Sequence, residues 1–476
     1  MAKFTDRKEE LESFREKFGN LKKGELIILY GRRRVGKTEL VRKFMEELPK
    51  ESRMYSLIDE GTPMDMLRSV SEDATSAWPE TRVEFKSWEE FFSFLGERAK
   101  KQKTVAVIDE FQRMRSDPRA LTRFQKAWDT ELKGLPIMVV FLGSAVGAIH
   151  RIAISGRAPL FGRATGRFRL KAFDYQCFRQ ALGKIKNEKM ILKNYATFGG
   201  MPSYLEFAEQ CTDEKSHLET VEKHVLKKTG ILRNEPQALL RMELKDTGRY
   251  NSILAAIAAG HRNLKEISDQ TGIKPSVLGF YLNKLEKSLE IIKKTSPLCG
   301  KHRPQYIFRD NFFAFWYNFV FRNLSALEIE HYGHVKERVR AELPIMEGRV
   351  FEEVVKELLA KYNGKEIKGK KMDFPELGSW WGRKEGDIDI LGASKEGLLL
   401  GEAKWTSEPV GAAVARELEQ RVGFLNCTQA QRSNVTFLIA SKSGFEPSAH
   451  KYMEERGILG LDLGEITKMY DALPKK

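Results

Sequence analysis

The sequence has few of the features that mark secreted or membrane-embedded proteins. Its 476 residues include four cysteines, at positions 177, 211, 299 and 427, and no two of them form a C-x-x-C pair. Such usage fits a reducing compartment and argues against a disulfide framework or a zinc site. No apolar run approaches the ~18 residues of a membrane span, and the start, MAKFTDRKEE, does not resemble a signal peptide. We therefore expect a cytoplasmic protein with no membrane partner.

Acidic residues are outnumbered in this chain. The 81 Lys and Arg residues against 66 Asp and Glu residues give a formal net charge of +15. A basic surface suits a polyanionic partner such as DNA, and a solvated basic surface is the alternative. The length predicts about three domains, each with its own core.

A phosphate-binding pattern lies near the N-terminus. Residues 26–30 are an apolar run typical of a buried parallel strand, and G-x4-G-K-T follows at residues 31–38, called the phosphate loop below. Its glycines let backbone N–H groups point at a phosphate, Lys37 reaches the β- and γ-phosphates, and the Thr38 hydroxyl is a Mg²⁺ ligand. We predict an ATP and Mg²⁺ site. Its cofactor-binding residues are Gly31, Arg32, Arg33, Arg34, Val35, Gly36, Lys37, Thr38 and Glu39.

Two acids end a second apolar strand. Residues 104–108 lead into Asp109 and Glu110, and both this pattern and the phosphate loop fall at the carboxyl ends of strands, where α/β sheets bind ligands. Asp109 would hold Mg²⁺ through water, and Glu110 would polarise the attacking water. Acids at a strand end also serve as helix caps or turns, but the upstream phosphate loop favours catalytic roles for Lys37 and Glu110.

Two further residues are candidates for contact with the γ-phosphate. Ser144 follows an apolar strand at residues 136–142, where a small polar side chain can sense that phosphate; an ordinary serine at a strand end is the alternative. Arg163 lies in a basic loop and could stabilise the transition state from the same or a neighbouring subunit. Arg167 is an alternative that spacing does not exclude. The sequence therefore leaves open whether the protein forms a homo-oligomer.

These motifs, with Gly-Gly-x-Pro at residues 199–202, resemble the archaeal ATPase family of the STAND class, which are AAA-related P-loop NTPases with a helical lid. The resemblance implies a five-stranded parallel sheet in residues 1–172 and a helical lid in residues 173–240. It also implies that Asp6, Arg7 and Pro202 contact the adenine base of the nucleotide.

Residues 241–322 have the pattern of a winged helix-turn-helix. Two helices flank a Thr-Gly turn, and two short strands could form the wing. A protein-docking or lid role is the alternative to DNA contact, and the aromatic run at residues 311–320 is expected in the core. The basic residues expected to face DNA phosphates are Lys274, Lys284, Lys287, Lys293, Lys294, Lys301 and Arg303.

Residues 323–476 contain a second group of acidic and basic residues that could form an active site. Asp389 lies on one predicted strand, and Glu402 and Lys404 lie two apart on the next, so the latter two share one sheet face. Carboxylates hold Mg²⁺ or Mn²⁺, a lysine beside them assists an attacking water, and Glu352 from a helix could complete the metal shell. This pattern resembles the PD-(D/E)XK restriction-endonuclease-like fold, with which the archaeal ATPase family commonly ends. The alternative is a Glu402–Lys404 ion pair on an inactive fold.

The sequence thus predicts an α/β protein with a P-loop NTPase sheet, a helical lid, a winged helix-turn-helix and a C-terminal restriction-endonuclease-like domain. We expect ATP binding and hydrolysis to control the DNA-binding and nuclease-like modules. The alternative is an ATP-dependent regulatory switch or protein-binding scaffold that cuts nothing.

Overall fold

The structure is a computed structural model that describes residues 7–156, 158–300, 302–382 and 386–474. Predictions made for Asp6 and Lys301 lie outside these residues. Within them, no helix combines the length and the apolar character needed to cross a membrane.

The N-terminal part is a parallel β-sheet with helices on both faces. Its strands are β1 (Glu25–Tyr30), β2 (Arg53–Leu57), β3 (Thr104–Asp109), β4 (Ile137–Gly143) and β5 (Gly166–Arg169). The helices are α1 (Lys8–Gly19), α2 (Lys37–Glu46), α3 (Pro63–Ala77), α4 (Trp88–Lys101), α5 (Ala120–Thr130) and α6 (Val146–Ile149). The strand order is β2-β3-β4-β1-β5 and every neighbouring pair is parallel. The predicted parallel α/β sheet is confirmed.

Strands β3 and β4 are buried along their whole length. Apolar side chains from alternate positions enter separate cores on the two faces of the sheet, which explains why these strands read as continuous apolar runs. Because β4 pairs with both β1 and β3, the segments that follow these three strands meet at one edge of the sheet.

A group of helices follows the sheet: α7 (Tyr175–Ala181), α8 (Glu188–Phe198), α9 (Leu205–Ala208), α10 (Glu214–Val221) and α11 (Glu235–Glu243). The turn after α8 approaches the start of this group closely. A Cβ at Gly200 would lie 2.0 Å from the Phe173 carbonyl oxygen, so only glycine fits there. This contact fixes the position of the Pro202 turn.

The next segment contains three helices and a hairpin among the described residues: α12 (Gly248–Ala258), α13 (Leu264–Thr271), α14 (Pro275–Asn283), β6 (Ile292–Thr295) and β7 (Gln305–Phe308). Asn263 and Glu266 form a reciprocal N-cap of α13. Gly272, at φ 70°, ends α13, and Pro275 opens α14. Strands β6 and β7 pair antiparallel.

The C-terminal part is a mixed sheet packed on one long helix. The helices are α15 (Asn311–Phe315), α16 (Leu324–Glu328), α17 (Tyr332–Lys361), α18 (Ala412–Arg421), α19 (Gln429–Ser433), α20 (Pro447–Arg456) and α21 (Leu463–Asp471). The strands are β8 (Glu366–Ile367), β9 (Lys370–Lys371), β10 (Glu376–Trp381), β11 (Asp387–Ala393), β12 (Leu398–Lys404), β13 (Val435–Ser441) and β14 (Leu459–Asp462). Strands β10, β11 and β12 pair antiparallel, whereas β12, β13 and β14 pair parallel.

One continuous core joins the helices after the sheet, the segment from α12 to β7 and the C-terminal part. Its buried residues run from Phe173 to Leu473 and include the aromatic side chains of α15. The sequence-based expectation of a separate core for each module therefore differs from the structure. Local patterns show that a face is apolar but not which distant element covers it.

Candidate functional site

The phosphate loop binds the side chain of its own lysine. Gly36 has φ 90°, a left-handed conformation that favours glycine, and α2 begins at Lys37. The Lys37 Nζ atom donates hydrogen bonds to the carbonyl oxygens of Gly31 at 2.9 Å and Arg32 at 3.0 Å. Burial lowers the pKa of Lys37 to about 8. The loop therefore already curls around a buried ammonium group.

The buried Asp109 carboxylate lies beside the Thr38 hydroxyl. Thr38 Oγ1 donates to Asp109 Oδ2 at 3.0 Å, and the Tyr55 hydroxyl donates to the same oxygen at 2.6 Å. The two predicted Mg²⁺-side residues are thus joined directly. The sequence patterns indicated no role for Tyr55 beyond its place in a predicted strand. Its hydrogen bond fixes the orientation of Asp109.

Glu110 is held by its neighbours at the end of β4. The Ser144 hydroxyl lies 2.7 and 2.8 Å from the two Glu110 carboxylate oxygens, and Gln112 Nε2 donates to Oε2. Glu110 also adopts a positive φ of 52°, which is uncommon for residues other than glycine. The structure therefore joins the predicted water-orienting residue to Ser144, whose role as a phosphate sensor stays a prediction.

The arginines of the phosphate loop contact later parts of the chain. Arg32 Nη1 lies 2.7 Å from Asp310 Oδ2, and Arg34 Nη2 lies 2.9 Å from Glu235 Oε2. Arg33 Nη1 donates to the sulfur of Met242 at 3.0 Å. Any contact of these residues with phosphate would come from backbone N–H groups, since the side chains are committed elsewhere.

The remaining predicted loop residues divide between core and surface. Val35 packs in the core on one face of the sheet. The Glu39 carboxylate pairs with Arg42 at 2.7 Å on the exposed face of α2. The Glu39 side chain therefore faces away from the loop, and its contribution would be the first-turn backbone N–H.

Two of the adenine-side candidates lie near the loop. A Cβ at Gly36 would be 4.0 Å from Pro202 Cγ, so the turn after α8 packs against the phosphate loop. The Arg7 guanidinium lies 5.3 Å from the centre of the Phe173 ring and donates to the Lys171 carbonyl oxygen at 2.5 Å. Their role in holding adenine stays a prediction.

Arg163 is engaged away from the phosphate loop. Its guanidinium makes three hydrogen bonds of 2.7 to 3.2 Å to the Asp129 carboxylate on α5, and the Arg167 guanidinium lies over the Phe161 ring at 5.1 Å. Among the described residues, no hydrogen bond or ion pair joins either arginine to residues 31–38. A role within the same subunit is therefore not supported, because the ion pair holds Arg163 elsewhere; action across subunits stays a prediction.

The C-terminal acids lie on neighbouring strands. Asp389 Oδ2 on β11 accepts a hydrogen bond from the Ala403 backbone N–H on β12 at 3.0 Å. Buried Glu402 pairs with Lys404 through one oxygen and with Arg421 through the other, at 2.7 Å. The Glu402–Lys404 ion pair, the alternative weighed for this site, is thus present, and both oxygens of Glu402 are neutralised.

Glu352 lies near Asp389 but does not complete a metal shell. Burial, with the negative charge of Asp389, raises the pKa of Glu352, and burial, with that of Glu402, raises the pKa of Asp389. Each carboxylate thus disfavours the charged form of its neighbour. Yet no three His, Cys, Asp or Glu side chains of the described ranges are placed to hold a metal ion. The predicted shell of Glu352, Asp389 and Glu402 is not assembled, because Lys404 and Arg421 occupy Glu402.

The predicted wing packs on the C-terminal sheet. The Leu298 backbone N–H donates to the Ser379 carbonyl at 3.0 Å, and Trp381 Nε1 donates to the Arg303 carbonyl at 3.2 Å. Lys293 forms an ion pair with Glu353 on α17. The expectation that Lys293 faces DNA stays a prediction; in the structure this lysine pairs with an acid of α17. Lys274, Lys287 and Lys294 are exposed.

A cleft of about 1180 Å³ lies between these parts. One end is lined by Arg32 and Val35 of the phosphate loop, and another by Glu352 and Asp389. The nucleotide region and the C-terminal acids therefore open into one connected space.

Comparison with known proteins identifies the family. Residues 4–207 match a family described as "ATPase domain predominantly from Archaea". Uncharacterized protein MJECL04 of Methanocaldococcus jannaschii is 31% identical to this chain over 407 residues, which cover 84% of this chain and 87% of that protein. The chain belongs to this archaeal ATPase family.

Other matches cover parts of this archaeal ATPase. Residues 316–418, which include Glu352, Asp389 and Glu402, match a family described as "Archaea bacterial proteins of unknown function". Uncharacterized ATP-binding protein MJ0423 of M. jannaschii is 65% identical over 43 residues, which cover 9% of this chain and 71% of that protein. The Walker-type ATPase PABY2304 of Pyrococcus abyssi is 23% identical with a TM-score of 0.51, and the match covers 65% of this chain and 95% of that one. This last likeness supports the fold.

Proposed function

We propose that this archaeal ATPase binds and hydrolyses ATP, as a STAND-class protein, and that its nucleotide cycle controls DNA contact by the rest of the chain. The observation that carries the proposal is the meeting of Lys37, Thr38, Asp109 and Glu110 at one edge of the parallel sheet. These are the residue types that position phosphates, hold a cation and orient water.

The residues present fit Mg²⁺. Thr38 and Asp109 offer oxygen ligands, and their side chains are hydrogen-bonded to each other. Mg²⁺ bound with nucleotide would neutralise charge at the phosphates. Lys37 would exchange its two carbonyl partners for phosphate oxygens. Glu110 would orient water after release from Ser144 and Gln112. The printed name of MJ0423, an ATP-binding protein, supports the choice of nucleotide.

The proposal is tested by two substitutions. Lys37→Ala should abolish ATP binding, whereas Glu110→Gln should keep binding and lose turnover by about 10²-fold or more, the size expected for a residue that aids proton transfer. Binding is measured by calorimetry and turnover by phosphate release. If Glu110→Gln hydrolyses ATP at the normal rate, Glu110 does not orient the water.

We further propose that DNA is the macromolecular partner and that the helix-turn-helix segment binds it through the residues that flank α14. Lys274, just before α14, and Lys287, four residues after it, are exposed, and they support this together with the net charge of +15. The loop of the predicted wing, in contrast, packs against the C-terminal sheet. Binding should weaken with salt, and a Lys274→Ala and Lys287→Ala double variant should reduce the log–log slope by about 0.9 per lost contact. An unchanged slope would remove these two lysines from the interface.

A second candidate function is metal-dependent DNA cleavage at the C-terminal acids. The supporting observation is that Glu352 and Asp389 line the same cleft, and that Asp389 lies on the strand next to the one that carries Glu402 and Lys404. Plasmid nicking with Mg²⁺ or Mn²⁺ should be lost in Asp389→Ala, and Lys404→Ala should lose nicking while retaining the metal. A wild-type protein that hydrolyses ATP, binds DNA and never nicks it would leave this domain as a scaffold.

A further inference from the structure

Two arginines share the cleft with the C-terminal acids. Arg262 precedes α13 in the helix-turn-helix segment, and its carbonyl accepts a hydrogen bond from the Tyr306 backbone N–H on β7 at 2.7 Å. Arg349 lies on α17, three residues before Glu352, and so on the same helix face. Both arginines line the main cleft together with Asp389. They also line a smaller adjoining pocket of about 320 Å³.

These two arginines make no close ion pair. Among the described residues, neither guanidinium lies within 4.0 Å of a carboxylate, although Arg32 and Arg169, which line the same cleft, are both ion-paired. Burial and the positive charge of Arg262 lower the pKa of Arg349. Glu352 and Asp387 attract these arginines only from a longer range, and an anion bound between the two cations would relieve their mutual repulsion.

An aromatic side chain lies on the same cleft. Trp381 is half-buried, lines the cleft, and is fixed by its hydrogen bond to the Arg303 carbonyl. Cationic side chains beside a partly exposed indole are the combination that binds single-stranded nucleic acid, through phosphate contact and base stacking. A duplex keeps its bases stacked on one another and would not offer them to Trp381.

We propose that Arg262, Arg349 and Trp381 form a binding site for single-stranded DNA, in which the two arginines hold a phosphodiester next to the C-terminal acids. The site rests on the proposed association with DNA and names the form of DNA bound. It is shared between two segments, because Arg262 comes from the helix-turn-helix and Arg349 from the C-terminal part. The acids would face the scissile phosphate from one side and the arginines from the other.

The test uses the full-length protein and a fluorescein-labelled oligo-dT probe in EDTA, so that metal affinity does not enter. Arg262→Gln and Arg349→Gln should each weaken binding about tenfold and reduce the log–log salt slope by about 0.7, the value per phosphate for single strands. The matched control is Arg340→Gln, at an exposed position on α17 whose arginine pairs with Glu337; it should bind as wild type does. Thermal unfolding of each variant is measured alongside.

Two further measurements make the outcomes distinct. The probe should quench tryptophan fluorescence in the wild type, and Trp381→Phe should remove most of that quenching. Variants that fold and bind oligo-dT as well as Arg340→Gln does would overturn the proposal, as would wild-type protein that prefers a duplex of the same length. If these variants lose binding while the wild type never nicks DNA, the binding site stands and the proposed cleavage fails. If the arginine variants bind oligo-dT as the wild type does but Asp389→Ala abolishes nicking, the proposed cleavage stands and the proposed binding site fails.

Discussion

At the scale of single residues, Lys37 makes nucleotide binding depend on pH. Burial lowers its pKa to about 8 in the folded protein, against about 10.4 in an unfolded chain. The unfolded state therefore holds more protons between these values, and the free energy of unfolding should rise with pH in this window. Phosphate favours the charged lysine, so ATP affinity should fall above about pH 8, approaching tenfold per unit.

Calorimetry in buffers of different ionisation enthalpy checks this prediction. ATP binding at pH 8.5 should take up protons, and Lys43→Ala, at an exposed position on the same helix, should take up the same number. Binding without proton uptake at that pH would show that Lys37 stays charged in the free protein.

The residues of the phosphate loop could be predicted because the spacing of Gly31, Gly36, Lys37 and Thr38 is local. The side-chain partners of the loop could not. Arg32 pairs with Asp310, which lies 278 residues away in the chain, and Asp129 binds Arg163 from a helix that showed no functional pattern. Long-range pairs depend on how elements pack, and one sequence does not reveal that.

At the scale of elements, one buried acid of α17 contacts two neighbouring segments. Glu347 is 3% exposed, accepts a hydrogen bond from Trp405 Nε1 at 2.6 Å and lies 3.4 Å from Lys193 Nζ on α8. Removing one partner of a buried charged pair costs about 3 kcal/mol or more. Glu347→Ala should therefore lower the free energy of unfolding by about this amount in urea titrations.

Two matched variants interpret that result. Glu347→Gln keeps an acceptor for Trp405 and should lose less, while Glu337→Ala, on an exposed turn of the same helix, should stay within about 0.5 kcal/mol of wild type. Equal losses for Ala and Gln would assign the effect to charge and not to the indole hydrogen bond.

Individual helices and strands were easier to predict from the sequence than the elements against which they pack. Both strands of the hairpin and both helices before it follow from local turns and caps, such as Gly272 and Pro275. That the hairpin loop packs on the C-terminal sheet depends on Leu298 and Ser379, 81 positions apart. The pairing of Lys293 with Glu353, 60 positions apart, is another long-range contact that local patterns did not reveal.

At the scale of the whole molecule, the phosphate loop is linked to the C-terminal part through Arg32 and Asp310. Their ion pair is nearly buried, and Asp310 also caps α15 by accepting a hydrogen bond from the Phe313 backbone N–H at 3.1 Å. ATP binding at the loop should therefore change amide exchange in α15. Asp310→Asn keeps the capping ability but loses the ion pair.

Hydrogen exchange with and without ATP measures this coupling. The ATP-dependent difference in α15 should disappear in Asp310→Asn, while ATP affinity changes less than in Lys37→Ala. Glu235→Gln, which breaks only the Arg34 pair, shows whether α11 carries part of the signal. A difference that persists in Asp310→Asn would place the coupling in another contact.

The continuous core from Phe173 to Leu473 also affects how the chain can change over generations. The N-terminal sheet has its own two cores, so it is a transferable unit that recombination could join to other partners. A gene truncated between residues 173 and 473 would expose apolar surface on both sides of the cut. A cut that removes either the helices after the sheet or the C-terminal part should therefore destabilise the part that is left.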